Sequence, residues 1–179
     1  ALKGVFHNHS NYSDGTNTLA EIAEHGRSLG WSFIGIGDHS QSAIYAGGLN
    51  ADDLRRQMAE IDEVNAKYSD FKLLKGLEVD ILSDGSLDCS DDLLSELDYV
   101  IASVHSAFKM SEREMTQRVL KAVSNPHVNM LGHPTGRLLL AREPYAIDLD
   151  AVIDACREHD VAIEINANPH RLDLDWRWA

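Results

Sequence analysis

Residues 33–40 read Phe33-Ile34-Gly35-Ile36-Gly37-Asp38-His39-Ser40. A short apolar run closed by a carboxylate and an imidazole reads as a buried strand, Phe33–Gly37, with polar side chains at its C-terminal end. The arrangement recurs on both sides of this stretch. Upstream, Lys3–Phe6 is a first short run, and Thr18-x-x-Glu21 is a capping box opening a helix that runs to about Gly30. Downstream, Asn50 caps a helix through about Tyr68, with Leu54, Met58, Ile61 and Val64 at helical spacing. Lys72–Ile81 is the third strand region, and a short helix follows from Ser90 to about Leu97. Tyr99–Val104 is the fourth strand, Ser111-x-x-Glu114 opens a helix that ends before Pro126, and Asn129–Gly132 is the fifth strand. Asp148–His159 is a helix and Val161–Ile165 the sixth strand.

Strand–helix alternation of this regularity implies an α/β fold with a parallel sheet and outer helices, either a barrel or a doubly wound sheet. A complete eight-fold barrel takes about 250 residues, so the 179 residues here hold about six βα units. No repeat, low-complexity tract or linker interrupts them. The chain is expected to be a piece of something longer, because Arg171–Ala179 stops without a seventh strand and residue 1 is Ala.

The composition excludes several classes. Hydrophobic residues make up 44% and charged residues 25%, as in an ordinary globular domain. No apolar run approaches the ~20 residues of a membrane span, and no signal-peptide pattern opens the chain. The two cysteines, Cys89 and Cys156, make neither a disulfide framework nor a Cys-type zinc site, which points to a reducing, cytoplasmic compartment. A net charge of −13 argues against tight autonomous binding to a nucleic-acid backbone, but not against phosphate substrates, since divalent cations add charge that this count omits.

The histidines fall on this map in a pattern. His7 and His9 form an H-x-H pair directly after strand one, and His39 follows strand two. Glu78 and Asp80 lie in or at the end of strand three, His105 follows strand four, and His133 follows strand five. Five successive strands thus end in side chains that can bind metal. In a parallel barrel all strand C-termini share one face, so these residues converge. Imidazoles mixed with carboxylates suit Zn, Mn or Fe better than Mg or Ca. More than four ligands imply more than one ion, and hydrolysis of a phosphate ester is the natural chemistry of such a site. Asp14, in Ser13-Asp14-Gly15, is a further candidate ligand beside the H-x-H pair. Arg137, next to His133, suits phosphate recognition, and Asn166, Asn168, His170 and Arg171 after strand six are candidate substrate contacts. By contrast, His25 and His159 read as helix C-terminal or surface residues, and His127 as a turn residue. Asp52, Asp53, Asp91 and Asp92 read as first-turn helix residues, and Trp31, Trp176 and Trp178 as packing residues.

Phe6-His7-Asn8-His9-Ser10 with Ser13-Asp14-Gly15, Gly37-Asp38-His39-Ser40, Gly76-Leu77-Glu78, Ser103-Val104-His105 and Gly132-His133-Pro134 together resemble the PHP superfamily, the polymerase-and-histidinol-phosphatase domain. Asp38-His39-Ser40-Gln41-Ser42, Asp84-Gly85-Ser86-Leu87-Asp88, His133-Pro134-Thr135-Gly136-Arg137 and Glu164-Ile165-Asn166-Ala167-Asn168-Pro169 are similar to the C-terminal PHP domain of bacterial family X DNA polymerases. The resemblance implies a distorted (βα)7 barrel, with residues 1–179 a single PHP domain lacking its last strand. It implies a metal-dependent phosphoesterase with up to three divalent ions, acting as a 3′–5′ exonuclease and 3′-end phosphatase through a metal-bound hydroxide. The substrates would be DNA 3′ ends or other phosphate esters, and a polymerase domain would be the partner in the parent chain. Carried over by motif, one ion would take His7, His9 and Glu78, a second Glu78, His105 and His133, and a third Asp14 and His39. Glu78 and His39 would be the catalytic pair, with Glu78 the bridge. The family pattern places further ligands of the first and third ions on a seventh strand, so reduced or absent activity is expected of this piece alone, unless another chain fills the gap. Two other functions compete with this one: a small-molecule phosphatase of the histidinol-phosphate type, and a structural domain without activity.

Overall fold

A computed structural model describes residues 2–178, so residues 1 and 179 of the expected domain lie outside the described residues. Packing divides the chain into two compact units, Ala1–Glu78 with Cys89–Val100, and Val79–Asp88 with Ile101–Ala179.

In the first unit the chain runs β1 (Gly4–Asn8), α1 (Leu19–Ser28), β2 (Phe33–Ile36), β3 (Asp38–His39), α2 (Ala51–Asn65), β4 (Lys72–Leu74), the start of β5 (Gly76–Asp80) through Glu78, and α3 (Asp91–Leu94). Strands β1, β2 and β4 form a parallel sheet in that order, with Val5 opposite Ile34 and Ile34 opposite Leu73. Both long helices begin where their caps require. Thr18 and Glu21 make a reciprocal capping box on α1, and the Asn50 side chain accepts from the Asp52 and Asp53 amides at the start of α2. The apolar faces of these helices meet the sheet in a core of Leu19, Ala23, Ile34, Ile36, Ile61, Val64, Phe71 and Leu73, with Trp31 packed at its margin.

In this unit two expected strands are each divided. Phe33–Gly37 is not one strand with a polar tail: β2 stops at Ile36, and Asp38–His39 forms the separate strand β3, paired in parallel with Leu77 and Glu78 of β5. Lys72–Ile81 likewise divides at Lys75, whose amide donates to Asp98 Oδ2 and whose carbonyl accepts from the amides of Asp98 and Tyr99. The first half pairs with β2 and the second with β3. The break places His39 and Glu78 opposite each other in register.

The second unit carries β6 (Tyr99–Ser103) from Ile101 onward, α4 (Glu112–Val123), β7 (Met130–Leu131), α5 (Leu149–Glu158) and β8 (Ala162–Ile163). Strand β7 pairs in parallel with both β6 and β8. Helices α4 and α5 pack together, burying Met115, Val119, Ala122, Val123, Val152 and Cys156. Strand β8 is shorter than the expected Val161–Ile165, because beyond it Asn166 bridges antiparallel to Asp173. Trp176 and Trp178, expected to pack, lie on an exposed 3-10 turn, with Trp176 80% exposed. His25 lies in the last turn of α1 and His159 caps the C-terminus of α5, both as expected.

Candidate metal centre

His7 is not beyond strand one but inside it. Between Val5 and Asn8 the β1–β2 register slips by one residue, and His7 sits in the slip with a left-handed backbone, φ 60°. A bulge of this kind re-aims a side chain, and a left-handed non-glycine residue costs about 1–3 kcal/mol that the surroundings must offset. Part of that support is Tyr99, whose hydroxyl donates to the Ile36 carbonyl at 2.7 Å and accepts from the His7 amide at 3.4 Å. The Tyr99 ring can lie there only because residue 76 is Gly: a Cβ at that position would come 2.2 Å from the ring.

The bulge delivers His7 to Glu78. The Glu78 carboxylate is 1% exposed, and three imidazole nitrogens surround it. His7 Nε2 lies 3.1 Å from Oε1, His39 Nδ1 lies 3.0 Å from Oε2, and His9 Nε2 lies 3.5 Å from Oε2. Asp14 extends the group: its Oδ1 is 2.7 Å from His9 Nδ1 and its Oδ2 is 3.8 Å from His39 Nε2. Burial opposes ionisation of Asp14, but the hydrogen bond with His9 and the charges of His9 and His39 outweigh it and hold the carboxyl below its usual range. Within the first unit two candidate ligand sets each lie within 4.8 Å, His7 with His9 and Glu78, and His9 with Asp14 and His39.

These residues fit divalent metal. Two ligand atoms bound tetrahedrally at about 2.1 Å are about 3.4 Å apart, close to the separations between Glu78 and the imidazoles. A nearly inaccessible carboxylate facing three imidazoles needs either several protons or a cation, and both of its oxygens face imidazoles, as a bridging carboxylate requires.

A second carboxylate holds the ligand loop in place. Asp38, fully buried, accepts from the Ser10 amide at 2.8 Å, Ser10 Oγ at 2.6 Å, the Ser13 amide at 3.2 Å, Ser13 Oγ at 2.5 Å and Gln57 Nε2 at 2.6 Å. It ties residues 10–13, which separate His9 from Asp14, to the strand that carries His39. Spacing alone did not single out Asp38 or Gln57. The available signal was a glutamine among the buried positions of α2, where Leu54, Met58, Ile61 and Val64 are the other residues.

In the second unit the rings of His105 and His133 meet edge to face at 5.2 Å. Asp80 Oδ1 lies 2.5 Å from His105 Nδ1, an arrangement that fixes the tautomer and leaves Nε2 to carry the lone pair. His133 also has a left-handed backbone, φ 23°, and its amide donates to Glu164 Oε2 at 2.7 Å. Asp80 thus orients a candidate ligand, and Glu164, which appeared in the sequence only as part of a motif, supports another. Arg118 on α4 is 3% exposed and has three carbonyl acceptors: Leu82 at 2.9 Å, Ser106 at 2.9 Å and Ile81. It ties together the segments that follow Asp80 and His105.

The candidate substrate contacts lie in the same unit. The Arg137 guanidinium donates to the carbonyls of Arg171 and Leu172 and pairs with Asp175 at 3.2 Å. Asn168 and His170 are exposed, with Asn168 Oδ1 accepting from the His170 amide at 2.9 Å. Arg171 is half-buried, and its Nη1 is a buried donor. Asn166 donates to Glu164 at 3.2 Å.

The chain is similar to several known proteins. The family model described as PHP domain matches residues 6–168. The DNA polymerase/3′-5′ exonuclease PolX of Bacillus subtilis is 47% identical over 97% of this chain, which spans 30% of that protein. A protein of Clostridium acetobutylicum named "Probable phosphatase" is 33% identical over 83% of this chain, which covers 57% of it. Among solved structures, histidinol phosphate phosphatase from Lactococcus lactis, in complex with Zn, L-histidinol and phosphate, superposes with a TM-score of 0.59 at 21% identity, over 93% of this chain and 74% of that one. The shared fold is the parallel α/β architecture expected from the strand–helix alternation. With the family model covering most of its length, the chain belongs to the PHP domain family.

Proposed function

We propose that this chain is the phosphoesterase domain of a DNA-repair polymerase, hydrolysing phosphate esters at nucleic-acid 3′ ends with divalent metal ions. The observation that carries this reading is the buried Glu78 carboxylate facing His7, His9 and His39 at 3.0–3.5 Å. In the first unit His7, His9 and Glu78 would hold one ion, and Asp14 and His39 would contribute to another. In the second unit His105 and His133 are the remaining ligands. The mixed donors favour Zn, Mn or Fe, with up to three ions. When bound, such ions lower the pKa of a water molecule and polarise the phosphoryl group.

The chain's own residues supply the rest. Glu78 gathers the imidazoles, and His39 joins the Glu78 and Asp14 ends of the cluster. Asp80 holds the proton on His105 Nδ1, so that Nε2 is available as a ligand. Arg137, Asn168, His170 and Arg171 are the candidate substrate contacts, with two guanidinium groups to meet phosphate. A polymerase domain in the parent chain would supply the nucleic-acid affinity that a net charge of −13 does not. Among the described residues no helix is long and apolar enough to cross a membrane. Cys89 and Cys156 are not disulfide-bonded, in keeping with a reducing, cytoplasmic setting.

The test is phosphate release by the Mn-loaded protein from a 3′-phosphorylated oligonucleotide and from L-histidinol phosphate, each with a chelator control. Faster chelator-sensitive hydrolysis of the oligonucleotide supports this function. Preference for histidinol phosphate would make the chain a small-molecule phosphatase. No hydrolysis of either by fully loaded protein would make it a structural domain.

A further inference from the structure

Next to His39 the chain makes a tight turn that inverts the usual order of burial. Within residues 43–49 the small residues Ala43 and Ala46 are 0% and 5% exposed, whereas Ile44 and Tyr45 are 85% and 72% exposed. Burying large apolar side chains is favourable, so folding alone favours the opposite arrangement. The turn is also closed by backbone hydrogen bonds. The Ala43 amide donates to the Ser40 carbonyl at 3.0 Å, Ala46 to Ala43 at 2.9 Å, Gly48 to Ala43 at 3.1 Å and Leu49 to His39 at 2.8 Å. Residue 48 packs so closely that a Cβ there would lie 1.9 Å from the Ser40 carbonyl oxygen. The Tyr45 ring lies edge to face with the His39 ring at a centroid distance of 5.9 Å.

We propose that Tyr45, with Ile44 beside it, is a specificity-determining residue: a stacking platform for the terminal base of a nucleic-acid 3′ end whose phosphate lies at the His39–Glu78 cluster. This inference rests on the phosphoesterase reading above and adds to it the residue that reads the substrate. An exposed aromatic face beside a phosphate-ester site suits a base, because every base offers a π-face and stacking tolerates any sequence. A short aliphatic phosphate ester would gain nothing from it.

The experiment compares two 3′-phosphorylated oligonucleotides that differ only in the 3′-terminal residue, one carrying a base and one abasic. For the metal-loaded wild-type protein, kcat/KM should favour the substrate with the base. Tyr45→Ala should reduce that preference about 10-fold, mainly through KM, and Tyr45→Phe should keep it within about twofold. A purely structural role would lower both rates together and leave the ratio unchanged, which overturns the proposal. In parallel, deoxyadenosine 3′-phosphate is added to the loaded protein and the Tyr45 ring resonances, assigned with Tyr45→Phe, are followed by NMR. If neither oligonucleotide is hydrolysed but the ring signals shift, the platform stands and the phosphoesterase reading fails. If hydrolysis proceeds with no base preference and no shift, the platform fails and the phosphoesterase reading stands.

Discussion

Gln57 Nε2 on α2 donates to Asp38 Oδ2 at 2.6 Å, and both side chains are fully buried. This bond joins a helix whose other buried positions are apolar to the carboxylate that holds Ser10 and Ser13. Gln57→Ala removes a donor from a buried carboxylate, which costs about 2 kcal/mol. In a domain of this size that lowers the Tm by roughly 4–8 °C, measurable by calorimetry. An unchanged Tm would show that Gln57 does not support the loop. Because residues 10–13 lie between His9 and Asp14, the same variant should also bind metal more weakly than the wild type.

Arg118 is buried, and burial holds its pKa below the usual value. Its nearest acceptors are carbonyls rather than a carboxylate: Ile81, Leu82 and Ser106. Arg118→Met leaves those oxygens without their donor, and urea denaturation should show a loss of roughly 2–4 kcal/mol. Arg118→Lys should recover only part of it, because one ammonium cannot reproduce a planar fork that meets three acceptors. Full recovery by Lys would mean that charge, not geometry, is what this position supplies.

Burial pushes the Cys156 thiol up to about 11, from an ordinary 9.0. The folded state therefore disfavours the thiolate. The stability this gives is fully present below about pH 9 and is lost as the pH rises through about 11. At pH 8 iodoacetamide should alkylate Cys89, which is half-buried, well before Cys156 in the native protein, and both together in urea. Mass spectrometry of the digested protein reads the order. Equal native rates would contradict the packing of α5 on α4.

Much of the architecture is legible in the chain because its signals are local. The Thr18–Glu21 and Ser111–Glu114 boxes start their helices where the caps predict, and five strand ends carry His or acidic residues. The division at Lys75 and the short strand Asp38–His39 are not legible, because both depend on which distant backbone groups pair: Asp98 with Lys75, and Glu78 with His39. The left-handed backbone of His7 is hidden for a related reason. It arises from a register slip against β2, and nothing in Phe6-His7-Asn8 announces one. Likewise, the ligand motifs name His105 but not the carboxylate that orients it, since Asp80 ends β5 and His105 follows β6. Trp176 and Trp178 were misread because aromatic bulk suggests a core, whereas their 3-10 turn lies at the surface.

The central claim is that Glu78, facing His7, His9 and His39, is the core of a divalent metal centre. It is tested most directly by elemental mass spectrometry of the purified chain after loading with Mn or Zn and removal of free ions, for the wild type and for Glu78→Gln, with circular dichroism to confirm that both are folded. The account predicts at least about one tightly held ion per wild-type chain and its loss in Glu78→Gln, because the amide has no charge and cannot bridge. Equal metal content in the two proteins, or none in a folded wild type, would contradict it.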